Sequence, residues 1–290
     1  MWLAPRSPLA LLTTLSLSPL LPRRPASIAM VADGRLTARI KRTEDTLSLL
    51  HIEQKHGDDF NQVHLGATWG QLGKLARSCA ADADWLRAHP EALEPLNTRT
   101  VGLLGTCSPR TLANVAHGMA AAAPADSEAW RVLTRCVTPA ALGKMKPMEL
   151  TSLAHAGALM ERDAPTLFAA CAVEALPRLA DFSAQELAGL AWAFARADRQ
   201  AAPGGQAAGA PSAAPPVRLR ARGRDIVREA AAREVRRAVT VSLFEGIAAE
   251  ARRKRDKITP REVSTLCWAF GRLRVGAPEL LDVLCARCAG

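Results

Sequence analysis

The chain has 290 residues, a formal charge of +10 at neutral pH, and 49% hydrophobic but only 4% aromatic residues, with no Tyr at all. Seven scattered cysteines, an odd number, exclude the dense disulfide framework of a small secreted domain and fit a reducing compartment. The cationic excess suggests a polyanionic partner, because Lys and Arg gain affinity for phosphate by releasing condensed counterions; an acidic protein or an anionic membrane surface would answer the same charge.

Residues 1–32 carry Arg6, Arg23 and Arg24, several Ser and Thr, and no acid before Asp33, which is the composition of a targeting leader. The apolar run from Leu9 to Leu21 is broken by hydroxyls and Pro19, so it is too short and too interrupted to span a bilayer. It also suits the hydrophobic region of a signal peptide or the first half of a bipartite plastid leader. The absence of a cysteine framework favours an organelle over secretion, with the mitochondrion first and the chloroplast or plastid as the alternative.

Residues 40–198 read as helical repeats. The first is degenerate: Leu47, Leu49, Leu50 and Ile52 form an amphipathic segment, and Leu65 to Leu75 follows with its Trp69 displaced by one position. The next copy begins 47 residues later, which places an insertion around Asp82 to Pro95. Clear copies start at Leu112, Leu150, Leu187 and Val263, at intervals of 38, 37 and 76 residues, the last being twice 38. Each puts apolar residues at i, i+3, i+4 and i+7, as in Leu187, Leu190, Ala191 and Phe194, which is one stripe of an α-helix.

Start signals precede each stripe. Ser183 with Glu186 and Thr259 with Glu262 are capping boxes, while Ser108-Pro109 and Lys146-Pro147-Met148-Glu149 are variants with Pro at the first helical position. A second helix precedes each start: Leu167-Phe168 to Ala175 aligns without gaps to Leu243-Phe244 to Ala251, 76 residues on, and more weakly to the segment opening at Trp130. The expected fold class is all-α, an α-solenoid of helix-turn-helix units with a ~37–38 residue period.

Residues 199–222 are rich in Ala, Gly and Pro and read as a disordered linker. Residues 223–290 hold a basic helix and a further repeat. Arg218 to Arg237 alternates Arg with Ala, Val and acids at helical spacing, so a helix is expected there, continuous with the one near Thr240. A restart at Leu280-Leu281 opens a last, incomplete unit whose apolar face is expected to be exposed.

The unit around Phe182-Ser-Ala-Gln-Glu-Leu-Ala-Gly-Leu-Ala-Trp-Ala-Phe-Ala-Arg resembles the organellar helical-repeat proteins. These include the octotricopeptide repeats, the leucine-rich helical regions of FAST kinase-like proteins, and the repeats of the RNA-editing substrate-binding complex. The similarity covers about residues 47–290 and is strong at 145–197 and 240–273. It implies import into a mitochondrion or plastid and binding of single-stranded RNA, in processing, stability, editing or translation. Many members end in a small RAP domain; nothing like it is present here, so nuclease activity is not implied.

Candidate contact residues follow from the register. The fifth position after each start holds His117, His155, Trp192 and Trp268, and the ninth holds Arg196 and Arg272. At about 100° per residue these lie off the core stripe, on a face that serves either inter-repeat packing or a ligand. Rings stack on unpaired bases and Arg clamps phosphate; the alternative for the Trp rings is to fill the groove against the next hairpin. A second candidate is the run Arg252, Arg253, Lys254, Arg255 and Lys257, joined by Arg218, Arg220, Arg222 and Arg224; the run also suits a solvated helix end. From 218 to 261, fourteen Arg and Lys stand against six Asp and Glu.

No catalytic set emerges: there is no Gly-rich phosphate loop, HExxH or nucleophile elbow. Cys285 and Cys288 have metal-like spacing but lack a second pair, so no metal or cofactor is expected. The expected partner is single-stranded organellar RNA, with other proteins of an RNA-processing complex possible as well; no DNA specificity is evident. The rival is a non-catalytic scaffold that holds a protein of a larger assembly.

Overall fold

The stripe of each repeat becomes a buried helix face in the computed structural model, which describes residues 26–123, 127–160, 165–201 and 223–288. Among them the chain forms α-helices and short 3-10 turns, with no strand. The helices are α1 (Ala26–Arg42), α2 (Thr46–His56), α3 (Gln62–Ser78), α4 (Ala80–Ala88), α5 (Glu94–Leu103), α6 (Pro109–Ala122) and α7 (Glu128–Cys136). They continue with α8 (Pro139–Leu142), α9 (Pro147–Leu159), α10 (Pro165–Ala175), α11 (Ala184–Ala201), α12 (Gly223–Arg253), α13 (Pro260–Leu273) and α14 (Pro278–Cys288).

The stripes sit on α3, α6, α9, α11 and α13. Leu112, Val115, Ala116 and Met119 are buried, as are Leu150, Leu153 and Ala154, then Leu187, Leu190, Ala191 and Phe194, then Val263, Leu266 and Phe270. These five helices pack in sequence order: α3 on α6, α6 on α9, α9 on α11 and α11 on α13, with α1 against the outer side of α3. The others form a second set, in which α5 meets α7, α10 packs on α9 and α12, and α12 packs on α11 and α14. The buried apolar residues form one continuous cluster from Ile40 to Leu284.

Helix starts are built by the residues that signal them. The Ser183 amide donates to Glu186 Oε2 at 2.7 Å while the Glu186 amide donates to Ser183 Oγ at 3.3 Å. The Thr259 amide donates to Glu262 Oε2 at 2.7 Å. Glu149 accepts from the Lys146 amide at 2.9 Å, the half of a box that Lys can still provide. At α6 the job is shared between helices: Ser108 Oγ accepts from the Thr111 amide, and Gln62 of α3 accepts from the Ser108 amide at 2.6 Å.

The doubled interval has a structural counterpart. Phe168 of α10 meets Phe194 of α11 edge to face at 5.2 Å, and Phe244 of α12 meets Phe270 of α13 in the same way at 4.9 Å, both partners displaced by 76 residues. The α10–α11 and α12–α13 hairpins therefore repeat one core contact.

Four local readings take a definite form, and the last of them changes. Trp69 lies in the core stripe at the i+4 position, its Nε1 donating to Thr100 Oγ1 at 2.8 Å, so the first repeat carries no ring on the fifth-position face. The insertion around Asp82 to Pro95 is ordered into α4 and a 3-10 turn, and its Leu86 and Leu93 are buried. The basic segment joins the later helix as one 31-residue α12, as its helical spacing implies. Instead of exposing its apolar face, α14 buries Leu280 and Leu284, because the C-terminal end of α12 and the adjoining α13 together make a groove for it. Helix α1 starts inside the span expected as leader, and α11 runs to Ala201, inside the span expected as linker; residues 1–25 and 202–222 lie outside the described residues. None of the described helices is long and apolar enough to cross a membrane.

Candidate nucleic-acid interface

Because successive stripe helices lie side by side, a residue at one register position meets its counterpart on the next helix. The His117 ring of α6 lies 5.9 Å from that of His155 on α9, tilted by 47°. The His155 ring lies 4.5 Å from Trp192 of α11 and 22° from parallel, a stacked pair. One turn on, the Arg196 guanidinium carbon stands 5.4 Å over the Trp192 ring, and its Nε donates to the Ala158 carbonyl at the end of α9, at 3.2 Å. Three helices are thereby joined by a row of rings with a guanidinium at its end.

Arg77 closes the other end. This residue had no place in the register reading, since it lies one turn beyond the ninth position of the first repeat, where Lys74 stands. Its Nη1 folds back to 3.2 Å from the place a side chain on Gly73 would occupy. Burial lowers the pKa of His117 and Arg77 lowers it further. Burial drives His155 down to about 4, with added repulsion from His117, Arg77 and Arg196. Both imidazoles are therefore neutral at physiological pH, and their Nδ1 atoms are buried without a hydrogen-bond partner among the described residues. The row is an uncharged, half-buried line of rings in contact with one another, held between two cations.

Trp268 and Arg272 of α13 are the 76-residue counterparts of Trp192 and Arg196, and they stand differently. Trp268 is 44% exposed. No ring contact joins it to Trp192 among the described residues, and Arg272 is exposed with no hydrogen bond or ion pair there.

The basic run is mostly committed to the protein itself. Arg252 pairs with Glu279 of α14, Arg253 with Glu250 at 2.7 Å, and Arg255 lies 3.8 Å from Asp256. Lys254 reaches Glu250 at 3.4 Å and donates to the Ala180 carbonyl at 2.6 Å. Arg178, 76 residues earlier, does the same work: it pairs with Glu174 at 2.9 Å and donates to the Met145 carbonyl at 2.7 Å. Lys254 is thus the repeat's own tie to the preceding unit. Lys257 is exposed in the turn that precedes α13, at the opposite end of that helix from Arg272. Arg218, Arg220 and Arg222 lie outside the described residues, and Arg224 is placed on α12 by its backbone alone.

Among the described residues no group of three or more His, Cys, Asp or Glu could hold a metal ion. Burial pushes the Cys107 thiol up to about 11 and the Cys171 thiol to about 12, which keeps both protonated and poorly nucleophilic. No protein-family model matches the chain, and no curated protein is significantly similar to it.

Proposed function

We propose that this protein is a non-catalytic α-solenoid that binds single-stranded organellar RNA, in a mitochondrion or alternatively a plastid, and acts in RNA processing, stability, editing or translation. The observation that carries the reading is the row Arg77, His117, His155, Trp192 and Arg196 across four neighbouring helices. The ring faces are taken up by one another, so the row offers unpaired bases its half-buried, uncharged edges, and the cations at its ends suit an anionic backbone. Repeated units stacked side by side extend such a surface along the molecule. The leader composition of residues 1–32 supports import into an organelle.

Anisotropy of a labelled single-stranded RNA, titrated with the full chain at several salt concentrations, tests this. With Lys74, Arg77 and Arg272 as three phosphate contacts, the log–log slope should be about −2, so affinity falls roughly twentyfold between about 50 and 200 mM salt. Arg77→Gln should make the slope shallower by about 0.7. An affinity that stays flat with salt overturns phosphate binding.

One observation favours a second reading, a scaffold for protein partners. Thr166 and Ala169 of α10 and Ala231, Ala232, Val235 and Arg236 of α12 line an open, largely apolar groove, with Val235 64% exposed. A partner that co-purifies after ribonuclease treatment would support it.

A further inference from the structure

We propose that Trp268 and Arg272 form a single-nucleobase site: one unpaired base of an RNA strand stacks on the Trp268 indole while Arg272 holds the adjoining phosphate. The inference rests on the RNA-binding reading and adds where, and how, one base is held.

The argument comes from comparing two copies of one device. The α10–α11 and α12–α13 hairpins share their core ring pair, with Phe168 and Phe194 matched by Phe244 and Phe270. They share their capping carboxylates, Glu186 and Glu262, and the tie to the preceding unit made by Arg178 and Lys254. In this common frame each second helix carries Trp and, one turn later, Arg. The first copy is filled: Trp192 bears the His155 imidazole stacked at 4.5 Å and the Arg196 guanidinium at 5.4 Å. The second copy is open, with Trp268 44% exposed and Arg272 unpaired among the described residues.

What fills the first copy therefore indicates what suits the second. The His155 ring is a flat nitrogen heterocycle, held neutral by its surroundings. A nucleobase is the same kind of object: planar, heteroaromatic and uncharged, with a π-face that an indole receives whatever its sequence identity. Arg272 differs from Arg196 in having no helix-end carbonyl bonded to it, so its donors are free for an anion, and a guanidinium suits the oxygens of a phosphate. Adding a side chain at the neighbouring Gly271 would meet nothing within 4 Å, so the approach is open.

The test uses the full chain and a single-stranded oligouridine carrying one central 2-aminopurine, a base whose fluorescence drops when it stacks. Anisotropy of a terminal dye reports binding, and 2-aminopurine intensity reports stacking. The wild-type protein should bind and quench. Trp268→Leu should weaken binding about tenfold and restore the intensity, Trp268→Phe should recover most of both, and Arg272→Gln should weaken binding and flatten the salt slope while quenching persists at saturation. Circular dichroism confirms that each variant is folded. If Trp268→Leu binds and quenches like the wild type, the base site is wrong and the RNA-binding reading stands. If the wild type binds no single-stranded RNA, both readings fall together.

Discussion

His155 stands between a second imidazole and an indole, with a guanidinium near each end of the row, and that setting makes protonation costly. Its pKa drops from an ordinary 6.5 to about 4, first through burial and then through repulsion from His117, Arg77 and Arg196. The unfolded chain therefore binds more protons than the folded one between about pH 6.5 and 4, so stability is intact above that window and declines as pH falls through it. The loss should reach about 2 kcal/mol between pH 7 and pH 5. Urea midpoints measured at both pH values should show it, and His155→Gln should remove most of the difference; an unchanged pH slope in the variant would assign the effect elsewhere. That His117, His155 and Trp192 share a face was legible from their common register. Their stacking on one another was not, because ring contact depends on how closely neighbouring helices approach, and the spacing within one helix does not encode the distance to the next.

Helix pairs set that distance through small residues. Where α3 crosses α6, a Cβ on Gly118 would overlap the Trp69 carbonyl, and one on Gly73 would come within 2.8 Å of the Gly118 Cα. The two backbones touch, and neither glycine can yield without separating the helices. Gly118→Ala should therefore cost about 2–3 kcal/mol, seen as a lower urea midpoint, even though Ala is the better helix former by about 1 kcal/mol. A midpoint at or above that of the wild type would show that the two helices separate at this crossing at little cost. At this scale the sequence was most informative where a signal is local. The capping carboxylates Glu186 and Glu262 bond as their spacing from Ser183 and Thr259 implies, and the ungapped 76-residue alignment anticipates the repeated Phe pairs. It was least informative where a side chain finds a partner far along the chain. The basic run looks free in sequence, yet Lys254 ends on the carbonyl of Ala180 and Arg252 on Glu279. Trp69 likewise reads only as displaced by one position, and nothing near it in sequence points to Thr100, 31 residues away, as its hydrogen-bond acceptor.

Across the whole molecule, the stripe helices α3, α6, α9, α11 and α13 each pack on the next, and the apolar cluster runs through them without a break. In an array built of neighbour contacts, stability is close to a sum of unit and interface terms, so damage at one end need not reach the other. A compact core shared by all helices would instead lose protection everywhere at once. Phe270→Ala separates the two. Phe270 is buried edge-on to Phe244 near the C-terminal end of the row, and its truncation removes about 3–5 kcal/mol of packing. Amide exchange should quicken in α13, α14 and the second half of α12, with α3 and α6 keeping wild-type protection because α11 is the stripe helix on which α13 packs. Equal acceleration in α3 and α13 would show one cooperative unit, and the proposed stacked-repeat architecture would have to be given up together with the RNA surface proposed on it.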